Sequence, residues 1–446
     1  MTSADNLWFA YASQLQQKAA PAFDPKTQQF SLASSTLIVD LGNADPEIAN
    51  AYAYQIGDTI AAASPAYVPK SSLLTSYRAF LDSIDLKGDA NPNLDPQISK
   101  ATITLNNAQT DFLSVQAAAI TAWTGYKAVD STIAFKDYLS QFYPLWGDAK
   151  STLQGAESDY DQLMTKKYGV GFDIIQDARH AASSLGGAAD ITGQDKFNML
   201  VKTGSAGIAG SVPVLPGINP PAPANALIES FAPAYMLDGF AARYAEWQAA
   251  SASGATAATI TVNNKSAASG WSHMGWTLDA QAEISEGFFN AWANTSVSSS
   301  TETAFTMNDD FEMTMDFVGL DMFSVNPGTW FSPGLIQSYK DQLLPGAPNL
   351  FGPDGSLARY PVQALIGFNP KIKLSMSDSD YNSFQSQFSA QTNAGFGFGP
   401  FVVGDVHHST YSDKSSVQTD LATASVTINP PPSALPVLLG VISTIA

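Results

Sequence analysis

The chain of 446 residues contains no cysteine. That absence excludes a disulfide scaffold, a thiolate zinc site and a cysteine nucleophile. It suits export and cytosol equally and does not choose between them. Charge is the second shortage: 14% of the residues are charged, where an ordinary soluble domain carries about 25%. Basic residues are the scarcer sign, 21 Lys and Arg against 40 Asp and Glu, for a net charge of −19. Residues 1–254 hold 15 basic and 24 acidic groups and residues 255–446 hold 6 and 16, so no basic module hides in an acidic average. Nucleic-acid affinity comes mostly from Lys and Arg neutralising phosphates, so the balance argues against that partner. It disfavours attraction to anionic lipid on the same ground.

Long apolar runs are also missing. The start, MTSADNLWFAYASQLQQK, has neither a basic leader nor an apolar stretch of signal-peptide type. The most apolar tail, Ala434 to Ala446, has 13 residues, short of the roughly 18–20 that cross a bilayer. These features read as a cytoplasmic or non-classically exported chain. With 45% apolar residues and few charges, the surface must be dressed mainly by Ser, Thr, Asn, Gln and Ala.

What is present divides by periodicity. The N-terminal part reads as helical, with start signals at Asp45-Pro46-Glu47 and Asp95-Pro96-Gln97, where Asp caps, Pro suits the first turn and an acid opposes the dipole. Leu105, Ala108, Phe112, Val115, Ala119, Ala122 and Tyr126 repeat at 3-4 spacing, one apolar seam along a helix. Trp146, Ala149, Leu153, Ala156, Tyr160 and Leu163 form a second seam, with Pro144 and Gly147 expected to bend or interrupt the chain ahead of it. Two such helices predict an antiparallel pair inside a bundle. Gly204 to Ala224 holds five prolines and four glycines and reads as a connector. Leu237, Phe240, Tyr244 and Trp247 then mark one amphipathic helix.

Beyond Gly254 the period becomes two. Ala258–Val262, Asp310–Phe317 and Lys371–Met376 alternate apolar with polar. Ala394–Phe398, Phe401–His408, Ala424–Ile428 and Val437–Ile442 are further strand candidates, and short helices are expected at Asp279–Phe289 and Pro333–Leu343. Half-buried strands separated by turn residues predict an antiparallel sheet or sandwich. The fold class expected is therefore α+β: an N-terminal α-helical bundle module over 1–203, a connector and one helix over 204–254, and a C-terminal antiparallel β-rich, sandwich-like module over 255–446.

Chemistry-bearing clusters are few. Asp405, His407, His408 and Asp413 supply carboxylate and imidazole ligands of the kind that hold zinc or another divalent ion, although their spacing matches no known metal motif. Trp271 and Trp276 flank His273 and could stack on a sugar, although filling a core or an interface is the commoner use of such residues. The acidic cluster Asp309, Asp310, Glu312 and Asp316 includes carboxylates two and four residues apart on a strand face, the raw material of a calcium site or a glycosidase pair, or simply a solvated face. Asp89 to Asp95 fails as a calcium loop, lacking the glycine at its sixth position. The nucleophile elbow G-x-S-x-G occurs nowhere, and Gly204 to Gly210 lacks dinucleotide-binding spacing.

No catalytic residue and no cofactor beyond a divalent metal are thus indicated. The expected function is non-catalytic binding or self-assembly, with the contact surface mainly on the β-rich module. The partner is another copy, another protein or a glycan, and not nucleic acid. One alternative is a membrane-active, pore-forming toxin-like protein with a helical inserting element. The other is a metal-dependent or glycan hydrolase.

Overall fold

The structure is a computed structural model. It describes residues 10–15, 17, 23–24, 26–38, 46–60, 66–67, 71–86, 93–130, 132–133, 135–183, 196–204, 207–213, 227–263, 289–292, 310–389, 395–398, 401–403, 417–430 and 436–446. In chain order it begins with α1 (residues 10–15), β1 (Gln28–Ile38), α2 (Pro46–Gly57), β2 (Thr59–Ile60), β3 (Ala66–Tyr67), β4 (Ser71–Ser72) and α3 (Leu73–Asp82). A helical stretch follows: α4 (Asp95–Tyr126), α5 (Phe135–Phe142), α6 (Pro144–Tyr168) and α7 (Val170–Ser183). Next come β5 (Lys196–Gly204), β6 (Gly207–Pro213), β7 (Leu227–Pro233), β8 (Met236–Leu237) and α8 (Phe240–Ala252). The remainder is β9 (Ala258–Asn263), β10 (Phe289–Trp292), β11 (Glu312–Phe317), β12 (Gly319–Asn326), α9 (Pro333–Tyr339), β13 (Arg359–Phe368) and β14 (Lys371–Ser375). It closes with α10 (Asp378–Ser389), β15 (Gly395–Phe398), β16 (Phe401–Val403), β17 (Val417–Asp420), β18 (Ser425–Ile428) and β19 (Val437–Ile445). The fold is mixed α+β with antiparallel sheets.

Two compact units emerge. The first, residues 1–73, 235–326 and 351–446, contains a six-stranded sheet in the order β3-β1-β19-β13-β12-β8 and a five-stranded one in the order β17-β18-β14-β11-β9. The pairings are antiparallel except for β1 with β3. One apolar core joins the two sheets: Phe30, Leu365, Val437, Leu439 and Ile442 from the first meet Ile260, Met313, Met315, Phe317, Leu374 and Val426 from the second. Alternation explains the five-stranded sheet. Met313, Met315 and Phe317 are buried while Glu312 is exposed and Thr314 and Asp316 are half-buried, and Ile372 and Leu374 are buried between exposed Lys371 and Lys373.

The six-stranded sheet is covered on its other face too. On α8, Tyr244 and Trp247 pack against Phe368, and Phe240 packs against Phe323, with ring centroids 5.1–6.0 Å apart. Gly319 lies against the Trp247 indole and has no room for a side chain. A strand buried on both faces needs no alternation, which is why the apolar run Val437–Ile442 becomes the interior strand β19. Its partner β1 lies in the part of the sequence that reads as helical. Residues 28–38 are a strand instead, because Phe30 and Leu32 enter the core between the sheets while Gln29, Ser31 and Ala33 are buried as well.

The second unit, residues 74–234 and 327–350, holds α4 to α7 and the three-stranded sheet β6-β5-β7. All seven seam positions of α4 are buried or half-buried, and so are the six of α6. Phe112 packs on Trp146 at 4.8 Å, while Asp95 at the start of α4 meets Lys167 at the end of α6, so the pair is antiparallel as expected. Three local expectations change. Asp95 does not cap α4: Leu94 holds that position, and the Asp95 carboxylate accepts a 2.6 Å bond from Lys167 Nζ instead. Pro144 opens α6, where its missing N–H costs nothing, and Gly147 sits within the helix. Gly207–Pro213, inside the stretch that reads as a connector, forms β6 at an edge of its sheet, where proline and glycine are tolerated. Residues 214–224 lie outside the described residues, as do 279–288 of the expected helix, and Phe289 begins β10.

Candidate functional site

The clusters singled out by sequence fall in two groups. Asp405, His407, His408 and Asp413, and likewise Trp271, His273 and Trp276, lie outside the described residues. The acidic strand face is described from Asp310 onward. On β11, Asp316 stands opposite Lys371 of β14 and accepts a 2.6 Å hydrogen bond from Thr259 Oγ1 of β9. Cross-strand pairing of opposite charges stabilises a sheet face. Asp316 is therefore engaged by its neighbours, and the paired-carboxylate reading gains no support from it.

A different group forms where α6 folds back onto α7. Thr165 ends its turn near Gly169, whose φ of 74° reverses the chain with a conformation that glycine adopts without strain. The return brings together residues placed almost symmetrically about that glycine. Thr165 donates to Asp173, and Gln176 and His180 both reach Asp161. His180 Nε2 lies 3.2 Å from Asp161 Oδ2, an ion pair whenever the imidazole is protonated. Glu157 stands one helical turn before Asp161 on α6. Burial raises its carboxyl above the ordinary value, His180 opposes that shift and Asp161 reinforces it. Burial likewise raises the Tyr160 hydroxyl.

Glu157, Asp161, Thr165, Asp173 and His180 line an open groove of about 690 Å³, with Gln154, Ser158 and Lys166 also among its walls. Behind it, two arginines bind helix ends reciprocally. Arg179 of α7 donates from Nε and Nη2 to the Leu81 carbonyl at 3.2 and 2.6 Å, and Arg78 of α3 donates to the Ala182 carbonyl at 3.0 and 2.6 Å. Each guanidinium meets the negative end of the other's helix. Arg179 also bonds Gln176 Oε1 at 2.9 Å, so the chain of contacts runs from Leu81 through Arg179 and Gln176 to Asp161.

Chemically the groove offers a carboxyl that holds a proton more tightly than a free one and an imidazole fixed by a carboxylate, a modest acid–base set. Among the described residues no group of three His, Asp or Glu side chains is arranged to hold a metal ion. Among the same residues no helix is long and apolar enough to cross a membrane. The sequence reading missed this group. Glu157 and Asp161 at i, i+4 on one helix were visible, but His180 enters only through the turn at Gly169. The chain matches no protein-family model, no curated protein and no solved structure.

Proposed function

We propose that this chain is a non-catalytic binding or self-assembling protein, its contact surface mainly on the strands of residues 255–446. The layout that goes with this reading is a helical bundle module followed along the chain by an antiparallel, sandwich-like β-rich module that carries the contacts. Its partner is a second copy, another protein or a glycan. The observation that supports it is the use made of the polar groups where α6 and α7 meet. Asp161 is held by Gln176 and His180, Asp173 by Thr165, and Arg179 by Leu81 and Gln176. Groups engaged in joining helices are not left poised for a substrate, since catalysis needs donors and acceptors aimed at a reacting centre. Residues 255–446 supply the complementary part: 22 charges in 192 positions, hence little desolvation cost when neutral Thr, Ser and Asn faces meet a partner.

Light scattering on the full chain over a wide concentration range tests the reading, together with capture of proteins and a glycan panel. An assembly heavier than the 47.2 kDa monomer, or one saturable partner, is the expected result. A strict monomer at every concentration that retains nothing would end it.

A further inference from the structure

The helix α4 carries a second stripe opposite its buried seam. Ile103, Asn106, Thr110, Leu113 and Ala117 repeat at the same 3-4 spacing, and all five are exposed, Ile103 and Leu113 at 60% each. Charge nearly vanishes here. Between residues 101 and 126 the only charged side chain is Asp111, whereas residues 144–183 on α6 and α7 carry ten Asp, Glu, Lys and Arg. The hydroxyls on α4 are also satisfied from within. Thr104, Thr110, Ser114, Thr121 and Thr124 each donate to the carbonyl four residues earlier at 2.8–3.1 Å. Such back-bonding satisfies the donor and leaves the threonine methyl free to make contact. Drying this face therefore costs less than its composition suggests.

From these features we infer that the outer stripe of α4 is a helix-to-helix interface with a second copy of this chain. The inference rests on the self-association reading above and places one contact on a helix rather than on the strands. Two arguments select a copy as the occupant. A two-fold contact sets a patch against itself, so any charge on the patch meets its own sign. Two molecules of net charge −19 repel over most of their surfaces, and a stripe almost free of carboxylates is where they can approach. A basic partner would find nothing on it to pair with. The five exposed positions from Ile103 to Ala117 run about 21 Å at 1.5 Å per residue, the size of a weak, reversible contact rather than of an obligate dimer.

Sedimentation of the full-length chain tests this with Ile103→Lys and Leu113→Lys, against Ile174→Lys on α7, which is 50% exposed. The expected result is a dimer for the natural chain and Ile174→Lys. Each stripe variant should weaken dimerisation about tenfold or more while keeping the natural circular dichroism spectrum and melting temperature. An assembly untouched by either stripe variant overturns the inference and leaves the self-association reading standing. A natural chain that stays monomeric overturns the inference whatever it captures. If its Leu113→Lys variant also melts lower, the stripe is covered by the chain's own residues.

Discussion

Glu157 is the residue whose environment makes the clearest demand. Burial is the largest cause of its raised carboxyl, ahead of the opposing His180 and the reinforcing Asp161. A folded-state value above the unfolded one means the folded chain binds the proton more tightly. The stability that Glu157 contributes is then full below the ordinary Glu range and is lost as pH rises through the folded value. Glu157→Gln keeps the shape of the protonated side chain and removes the titration. Thermal melts should show the variant equal to the natural protein at about pH 4 and more stable than it at about pH 7. A difference that does not grow with pH would mean the carboxyl is solvated as freely as an unfolded one. The same scale shows what the sequence hides. Asp95 has the type and position of a cap, yet its carboxylate is taken by Lys167 on another helix, a partner 72 residues away that no local pattern names.

Among the elements, the junction of α3 and α7 depends on two arginines that exchange helix ends. Leu81 and Ala182 are fully buried with the arginines in place, so losing a guanidinium leaves the carbonyl it binds without its partner. Arg179→Ala should lower stability by about 1–3 kcal/mol in urea unfolding, the usual cost of leaving a buried acceptor unmet. Arg179→Lys should recover only part of it, since an ammonium lacks the planar fork that reaches Leu81 and Gln176 together. Full recovery by lysine would assign the effect to charge alone. The helices with apolar seams, α4, α6 and α8, were legible in the sequence because burial of one face imposes a 3-4 repeat. Of the four α8 positions, Leu237 falls in β8, and the helix starts at Phe240 after Gly239 takes φ of 76°. The shorter α3, α5 and α7 were not legible. Their apolar positions do repeat, as Phe135, Tyr138 and Leu139 of α5 are all buried, but each run spans only about two to four turns, too short for a repeat to stand out in the sequence.

At the scale of the whole molecule, the first unit is closed by strands from both ends of the chain. β19 pairs with β1 on one side and β13 on the other, and Gly440 lets it approach, since a side chain there would meet the Ser31 carbonyl at 2.9 Å. Leu439→Ala, at a fully buried position in the core between the sheets, should cost about 2–5 kcal/mol in chemical denaturation. Ile445→Ala, near the end of the same strand and 47% exposed, should stay within about 0.5 kcal/mol. Equal losses at both positions would deny β19 its interior place. The sequence by itself determined the α+β class, the two seams of the α4–α6 pair and the alternating strands β9, β11 and β14. Each of those is a local pattern that records which face of one element meets apolar surroundings. Only the tertiary structure decided that residues 28–38 leave the helical part to join β19, that His180 comes back to Asp161 across Gly169, and that α4 turns a second, uncharged stripe outward. Periodicity states that a face is buried and never against what. The choice of partner depends on closing long loops and on polar bonds between elements, and neither leaves a repeat in the sequence.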